Sequence, residues 1–94
     1  MITPDSEEAF VIKDCIKSMR SFRVGVRGIC VDCFVKKDKN GWLLRIPRAG
    51  VTSLNCDTLH YDTKGNSLIG GVECGYVPSI RVSMFMFDTV RVIG

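Results

Sequence analysis

The chain has 94 residues, which is enough for one small domain and too few for two that could each bury a core. Hydrophobic residues make up 46% and charged residues 24%, a balance typical of a globular protein that excludes a disordered one. No apolar run approaches the roughly 18 residues of a membrane span. No basic segment followed by an apolar stretch opens the chain, so we expect no signal peptide, no membrane association and a cytoplasmic location. Residues 1–94 are therefore interpreted as a single domain.

The net charge of +3 is unevenly distributed. Residues 1–48 contain ten basic and six acidic side chains, whereas residues 49–94 contain three and four. Nucleic-acid binding needs basic residues clustered on one face, and the candidates here are Lys13, Lys17, Arg20, Arg23, Arg27, Lys36, Lys37 and Lys39. The three lysines at 36–39 stand in a predicted turn, where solvated side chains are usual. Nucleic-acid binding is therefore disfavoured by the charge distribution.

The N-terminal segment predicts an amphipathic helix over residues 4–20. Thr3 is of the N-cap type, and Pro4 suits the first helical position. Apolar residues then recur at intervals of three and four, at Ala9, Ile12, Ile16 and Met19. This face is expected to pack on a sheet.

Short strands are predicted for the rest of the first half. Residues 22–26 alternate in polarity and residues 29–35 are rich in β-forming residues. The pair Asn40-Gly41 between two apolar runs indicates a hairpin, whose second strand ends at Pro47. A loop is expected to run from there to about residue 55.

The second half begins with another predicted hairpin, in which residues 62–66 form the turn. Gly70-Gly71 suggests a bulge or bend, and Pro78 favours an extended segment before it. Further strands are expected at residues 80–83 and 90–93. The result is an α+β domain: one N-terminal amphipathic helix packed on a small, mostly antiparallel twisted sheet of four to six strands, with long loops at 47–57 and 70–78.

Four segments stand in a fixed order that resembles a large uncharacterised bacterial and phage domain family. They are residues 6–9, 27–32, 41–47 and 75–82. Family members carry a W-W-L-R-S-P-G segment, a Y-x-x-x-D-G-S-V hairpin and a terminal G-V-R-P-A-L strand. That family in turn resembles the C-type-lectin-like fold of formylglycine-generating enzymes and of the variable proteins of diversity-generating retroelements. This chain departs from that pattern at four positions. The second tryptophan is Leu43 and the serine is Ile46, while the glycine after the proline is Arg48 and the arginine of the terminal strand is Val77.

The resemblance implies a reduced C-type-lectin-like fold that displays loops and one sheet face for recognition, with residues 42–47 and 75–82 as neighbouring parts of one scaffold. The binding surface then falls between residues 48 and 75, and its candidate ligand-binding residues are Arg48, Asn55, Asp57, His60, Tyr61 and Lys64. Tyr61 is the strongest single candidate because tyrosine is enriched at interfaces. We interpret the protein as a non-enzymatic binding module for a protein or other macromolecule, such as a phage or mobile-element binder or inhibitor of a host system.

Catalytic chemistry is not indicated by the sequence. His60 is the single histidine, so every nucleophile–base arrangement that uses histidine depends on it. A glycine-rich phosphate loop is missing, and the only adjacent carboxylates, Glu7 and Glu8, are explained by a helix start. No catalytic residue and no cofactor is therefore assigned.

The five cysteines, Cys15, Cys30, Cys33, Cys56 and Cys74, favour reduced thiols that pack in a cytosolic protein. The alternative is a zinc site of Cys30, Cys33, Cys56 and His60 in a zinc-stabilised nucleic-acid-binding module. The segment from Cys30 to Cys33 has ligand spacing, but it is predicted to be a strand, in which positions three apart point to opposite faces.

Two more expectations concern packing and assembly. Trp42 is expected to anchor the core. Arg45 is expected to pair with a carboxylate such as Asp57 or Glu73, and Arg81 is expected to face solvent.

The apolar run at 84–87 is either a central strand or half exposed and paired with another copy. The second possibility makes a self-assembling structural subunit a further alternative. Because the chain is short for the family it resembles, we expect a homo-oligomer.

Overall fold

The computed structural model describes residues 1–47, 53–71 and 79–94. Its elements, in chain order, are α1 (Glu7–Lys17), β1 (Phe22–Val26), β2 (Ile29–Val35), β3 (Trp42–Arg45), β4 (Leu54–Cys56), β5 (Thr58–Asp62), β6 (Ser67–Gly71), β7 (Ile80–Ser83) and β8 (Thr89–Val92). The predicted α+β class with one N-terminal helix is confirmed. The described residues contain eight strands, more than the four to six expected.

The strands form two antiparallel sheets and not the single sheet predicted. One has five strands in the order β4-β3-β2-β1-β8, and the other has three in the order β5-β6-β7. The chain passes from the first sheet to the second at Asp57, the single residue between β4 and β5, whose backbone N–H donates to the Gly71 carbonyl at 2.8 Å. Strands β3 and β7 belong to different sheets, so they are not hydrogen-bonded neighbours, and residues 75–78 of the expected 75–82 segment lie outside the described residues.

The core lies on one side of the five-stranded sheet, and α1 contacts β5 of the smaller sheet and β8 of the larger one. Trp42 is buried, as predicted, and its ring meets Phe22 edge-on at a centroid distance of 6.0 Å. Fully buried aliphatic side chains from the helix and from both sheets, Ile12, Leu44 and Leu68, complete this layer. The burial of each such apolar side chain stabilises the fold by roughly 1.5–3 kcal/mol relative to leaving it exposed.

Helix α1 is shorter at both ends than the predicted span of residues 4–20. Its N-cap is Ser6 and not Thr3, because the Ser6 hydroxyl accepts from the Ala9 backbone N–H at 3.2 Å and donates to the Thr3 carbonyl at 2.7 Å. Pro4 therefore lies in the turn before the helix. At the other end, Met19 adopts a left-handed φ of 55°, which stops the helix after Lys17.

The buried face of α1 also differs in part from the predicted one. Ala9 and Ile12 are buried as expected, and Cys15 joins them. Ile16 and Met19 are only half-buried against the core.

Both predicted hairpins are present, and a third precedes them. β2 pairs with β3 across residues 36–41, and β5 pairs with β6 across residues 63–66. The third joins β1 to β2 through Arg27 and Gly28 alone, with φ angles of 46° and 82°. Two consecutive positive φ values are characteristic of the tight turns that connect antiparallel strands.

Two predictions for the loops are wrong. Residues 54–56 form β4 on the edge of the larger sheet instead of a loop. Gly70 and Gly71 lie inside β6 instead of breaking it. The apolar run at 84–87 is a turn and not a central strand. Half of it is exposed, as the other alternative stated, because Met84 and Phe87 are buried while Phe85 and Met86 are exposed. The predicted extended segment before Pro78 lies outside the described residues.

The helix of the described structure is too short and too polar to cross a membrane.

Gly70 on β6 allows Cys56 of the larger sheet to pack closely against it, and we predict that Gly70→Ala destabilises the fold. An added Cβ would lie 2.6 Å from Cys56 Sγ and 3.1 Å from Ile80 Cγ2, so packed side chains would have to shift. We expect a loss of about 1–3 kcal/mol in the free energy of unfolding, the usual cost of overpacking, measured by urea denaturation.

Gly25→Ala is the matched control, because this glycine also lies inside a strand. The nearest atoms to its added Cβ would be 3.4 Å and 3.5 Å away, an ordinary contact. It should leave stability unchanged or slightly raised. Equal unfolding midpoints for the two variants would refute the proposed approach at Gly70.

Candidate functional site: the outer face of the five-stranded sheet

The five-stranded sheet has one face toward the core and one face away from it. On β2, the buried residues Val31 and Cys33 pair with Val24 and Phe22 of the core. Because side chains alternate along a strand, Cys30, Asp32 and Phe34 project to the opposite side. We name this opposite side the outer face.

A row of four charged residues crosses the outer face. Arg91 on β8 pairs with Arg23 on β1, Arg23 pairs with Asp32 on β2, and Asp32 pairs with Arg45 on β3. We name these four residues the arginine row. Adjacent strands lie about 4.8 Å apart, so the row is roughly 15 Å long. It brings three guanidinium groups together with one carboxylate.

Arg23 and Asp32 form a two-pronged ion pair at the centre of the row. Arg23 Nε donates to Asp32 Oδ1 at 2.5 Å, and Arg23 Nη2 donates to Asp32 Oδ2 at 3.3 Å. The Asp32 side chain is 4% exposed, whereas that of Arg23 is 41% exposed. The hydrogen bond to Asp32, with the charge of its carboxylate, raises the pKa of the Arg23 guanidinium. The aspartate therefore fixes the Arg23 guanidinium through two hydrogen bonds, while part of the Arg23 side chain stays accessible.

The two outer members of the row, Arg45 and Arg91, are exposed. Neither makes an ion pair with a carboxylate of the described residues. The strand register places Arg45 opposite Asp32 and not opposite Asp57, the carboxylate expected to pair with it, and Glu73 falls outside the described residues. Arg45 and Arg91 therefore place two positive charges on the outer face that no ion pair within the described part of the chain neutralises.

Two depressions on the outer face meet at Arg23. One, of about 280 Å³, is lined by Arg23, Cys30, Asp32 and Arg45. The other, of about 350 Å³, also includes Arg23 and Cys30 and extends to Thr89 on β8. Arg23, Asp32 and Arg45 of the arginine row therefore line a concave surface, which extends along β1 and β2 to Thr89 on β8.

Apolar side chains adjoin the row on the outer face. Phe34 and Leu43 pair with each other across β2 and β3, and Leu43 also pairs with Asn55 on β4. Both apolar side chains are half-buried and neither belongs to the core cluster. Arginine and aromatic residues beside an apolar patch are the composition typical of protein–protein interfaces.

The site residues predicted from the sequence do not form one surface. Asn55 lies on the outer face, His60 is exposed on the side of the smaller sheet that faces away from the core, and Lys64 is exposed in the β5–β6 turn. Asp57 is exposed where the chain passes between the sheets, beside a cavity of about 570 Å³ that Trp42 also lines. Arg48 lies outside the described residues.

Tyr61, the strongest candidate from the sequence, lies toward the core. Its hydroxyl donates to Asn66 Oδ1, and Lys13 Nζ lies 5.3 Å from the centre of its ring. Burial raises the pKa of the Tyr61 hydroxyl. Asn66 is fully buried and donates from Nδ2 to the Ile2 carbonyl at 2.8 Å. These contacts give Tyr61 a structural role, in which it fixes Asn66.

The four residues of the alternative zinc site point in different directions. Cys33 and Cys56 are buried on the core side, Cys30 is half-buried on the outer face, and His60 is exposed on the smaller sheet. Burial raises the pKa of both the Cys33 and the Cys56 thiol, which disfavours the thiolate that zinc requires. Among the described residues no group of three or more cysteine, histidine or carboxylate side chains could hold a metal ion.

Arg81 faces solvent, as predicted. Its Nη1 forms an ion pair of 2.9 Å with Asp62 Oδ2, which lowers the pKa of that carboxyl.

Comparisons with family models, curated proteins and solved structures found no match to this chain. The outer face is therefore interpreted from its own residues.

Thiol accessibility distinguishes the two faces, and we predict that Cys30 is alkylated faster than Cys33 or Cys56 in the folded protein. Cys33 and Cys56 are buried with raised pKa values, so their reactive thiolate is scarce and shielded. Iodoacetamide labelling at pH 8, followed by peptide mass spectrometry, measures each rate. The same reaction in urea is the control and should remove the difference. Equal alkylation rates of the three cysteines in the folded protein would contradict the placement of Cys30 on the outer face. Slow alkylation of both Cys30 and Cys33 that becomes fast when a chelator is added would contradict it as well, because it would indicate a shared metal ion.

Proposed function

We propose that the protein is a non-enzymatic binding module that recognises a protein ligand through the outer face of its five-stranded sheet. The observation that carries this proposal is the arginine row, in which one buried aspartate orients Arg23 while Arg45 and Arg91 stay exposed. Oriented guanidinium groups can bind carboxylates through two hydrogen bonds at once.

The placement of the reactive side chains supports a binding role over catalysis. The single histidine, His60, is exposed on the smaller sheet, whereas Cys56 is buried toward the core. A nucleophile and its base must lie within hydrogen-bonding distance. The buried Cys56 thiol and the exposed His60 imidazole do not share such a site among the described residues.

The character of the outer face favours a protein over a nucleic acid. The row is about 15 Å long and adjoins the apolar pair Phe34 and Leu43, whereas nucleic-acid binding rests on more extended basic surfaces. The net charge of +3 is also modest for a protein that binds phosphate chains.

Two finer features of this proposal rest on the order of sequence segments alone. They are the reduced C-type-lectin-like architecture and the role of a phage or mobile-element binder or inhibitor of a host system. The self-assembling subunit stays an alternative prediction, favoured by the exposure of Phe85 and Met86, and sedimentation at several concentrations tests it.

Affinity capture from host lysate, compared between two charge-reversal variants, tests the proposed surface. We expect Arg45→Glu to lose the proteins that the parent chain retains, because it places a carboxylate beside Asp32 where a cation faced the ligand. The matched control is Lys64→Glu, which makes the same charge change at an exposed turn residue of the sequence-predicted surface.

Lys64→Glu should retain the captured proteins, and circular dichroism should show both variants folded. If Lys64→Glu loses the captured proteins while Arg45→Glu retains them, the ligand binds at the loops and the outer-face proposal is refuted. Identical capture by all three proteins would refute it as well.

A further inference from the structure

Strand β8 is an edge of the five-stranded sheet, and its free side has no strand partner among the described residues. The N–H of Ile93, just beyond β8, donates to the Ser21 carbonyl at 2.9 Å. Backbone N–H and C=O groups alternate in direction along an antiparallel strand. The backbone groups of Arg91 therefore face β1, as the N–H of Ile93 does, whereas the N–H and C=O groups of Val90 and Val92 face the free edge. These groups can continue the sheet if an extended segment lies beside β8.

The charges of the arginine row indicate what such a segment carries. From β3 to β8 the row reads positive, negative, positive, positive, as Arg45, Asp32, Arg23 and Arg91. Like charges directly opposite each other destabilise a sheet. A carboxylate at the next position, opposite Arg91 on an added strand, would give Arg91 a counterion and offset its repulsion with Arg23.

The other side of β8 indicates the residues that flank this carboxylate. Val90 and Val92 share the core side of the strand with their partners Val24 and Phe22. Val92 is 43% exposed although it lies on this apolar side. Apolar residues on either side of the carboxylate would lie against Val90 and Val92 and remove that surface from water.

We infer that β8 binds an extended segment of a partner protein with an apolar–acidic–apolar pattern, which adds to the sheet as a sixth strand. This inference rests on the proposed protein-binding function and names the chemistry of the ligand. Backbone hydrogen bonds to Val90 and Val92 supply the pairing, and Arg91 selects the acidic residue.

Two other occupants of this edge are disfavoured. A second copy of β8 in an antiparallel pair centred on Arg91 would place the two Arg91 guanidinium groups opposite each other, which repeats the repulsion already present. A nucleic acid could contact Arg91, but a phosphate backbone has no N–H groups to pair with the Val90 and Val92 carbonyls.

The test uses the full chain and a phage-displayed library of random linear peptides. We expect the enriched peptides to share an acidic residue between two apolar ones. Arg91→Glu should weaken the selected peptide by roughly tenfold or more, and selection on that variant should enrich Lys or Arg at the central position. Lys37→Glu, the same charge change in the exposed β2–β3 turn, is the matched control and should bind as the parent does.

Amide hydrogen exchange measures strand addition separately from charge. Saturation with the selected peptide should slow exchange at Val90 and Val92, the two amides that face the free edge. The inference is overturned by peptides without an acidic position, by unchanged affinity in Arg91→Glu, by unchanged exchange at both valines, or by a library that yields no binder.

The same measurements separate this inference from the proposed function. A selected peptide that Arg45→Glu weakens and Arg91→Glu does not would keep the outer face as the site and eliminate strand addition. A peptide that neither variant weakens would eliminate both. Arg91-dependent binding of a single-stranded oligothymidylate, with no peptide selected, would identify nucleic acid as the partner and overturn both.

Discussion

The register between β1 and β2 is the constraint on which the rest of the structure depends. The turn at Arg27 and Gly28 places Val26 opposite Ile29, and this pairing sets Arg23 opposite Asp32 three residues further along. A slip of one residue would turn the side chains of a strand to the other face, so that the Asp32 carboxylate would enter the core. One two-residue turn thus determines both the apolar core layer and the charged outer face.

The polar contacts that tie the chain together lie on the other side of the molecule. Asn66, fully buried with a left-handed φ of 48°, donates from its side chain to the Ile2 carbonyl, while its own carbonyl accepts from the Met84 N–H at 2.8 Å. The Tyr61 hydroxyl completes this network. These bonds join the N-terminus, the β5–β6 turn and the segment after β7. Among the described residues these bonds do not involve Arg45 or Arg91, which are exposed.

Local patterns predicted the elements, and contacts distant in sequence decided the rest. The apolar spacing in α1 and the turn residues of two hairpins are local, so the helix and both strand pairs followed from them. Ser6 and Thr3 are both good N-caps, and only the folded geometry selects Ser6. Gly70 was predicted to bend or interrupt a strand, because the sequence alone does not show that Cys56 packs against this glycine in the fold. The arginine row depends on the pairing of four strands, and the tight turn at residues 27–28 that sets Arg23 opposite Asp32 was not predicted from the sequence.

The central claim is that a protein ligand covers the outer face of the five-stranded sheet. Hydrogen exchange of the whole chain, with and without a captured partner, measures it most directly, since exchange slows where a partner excludes water or adds hydrogen bonds. We predict slower exchange in β3 and β8, the strands that carry Arg45 and Arg91. Protection confined to the β5–β6 turn or to residues 84–88, with β3 and β8 unchanged, would contradict the claim.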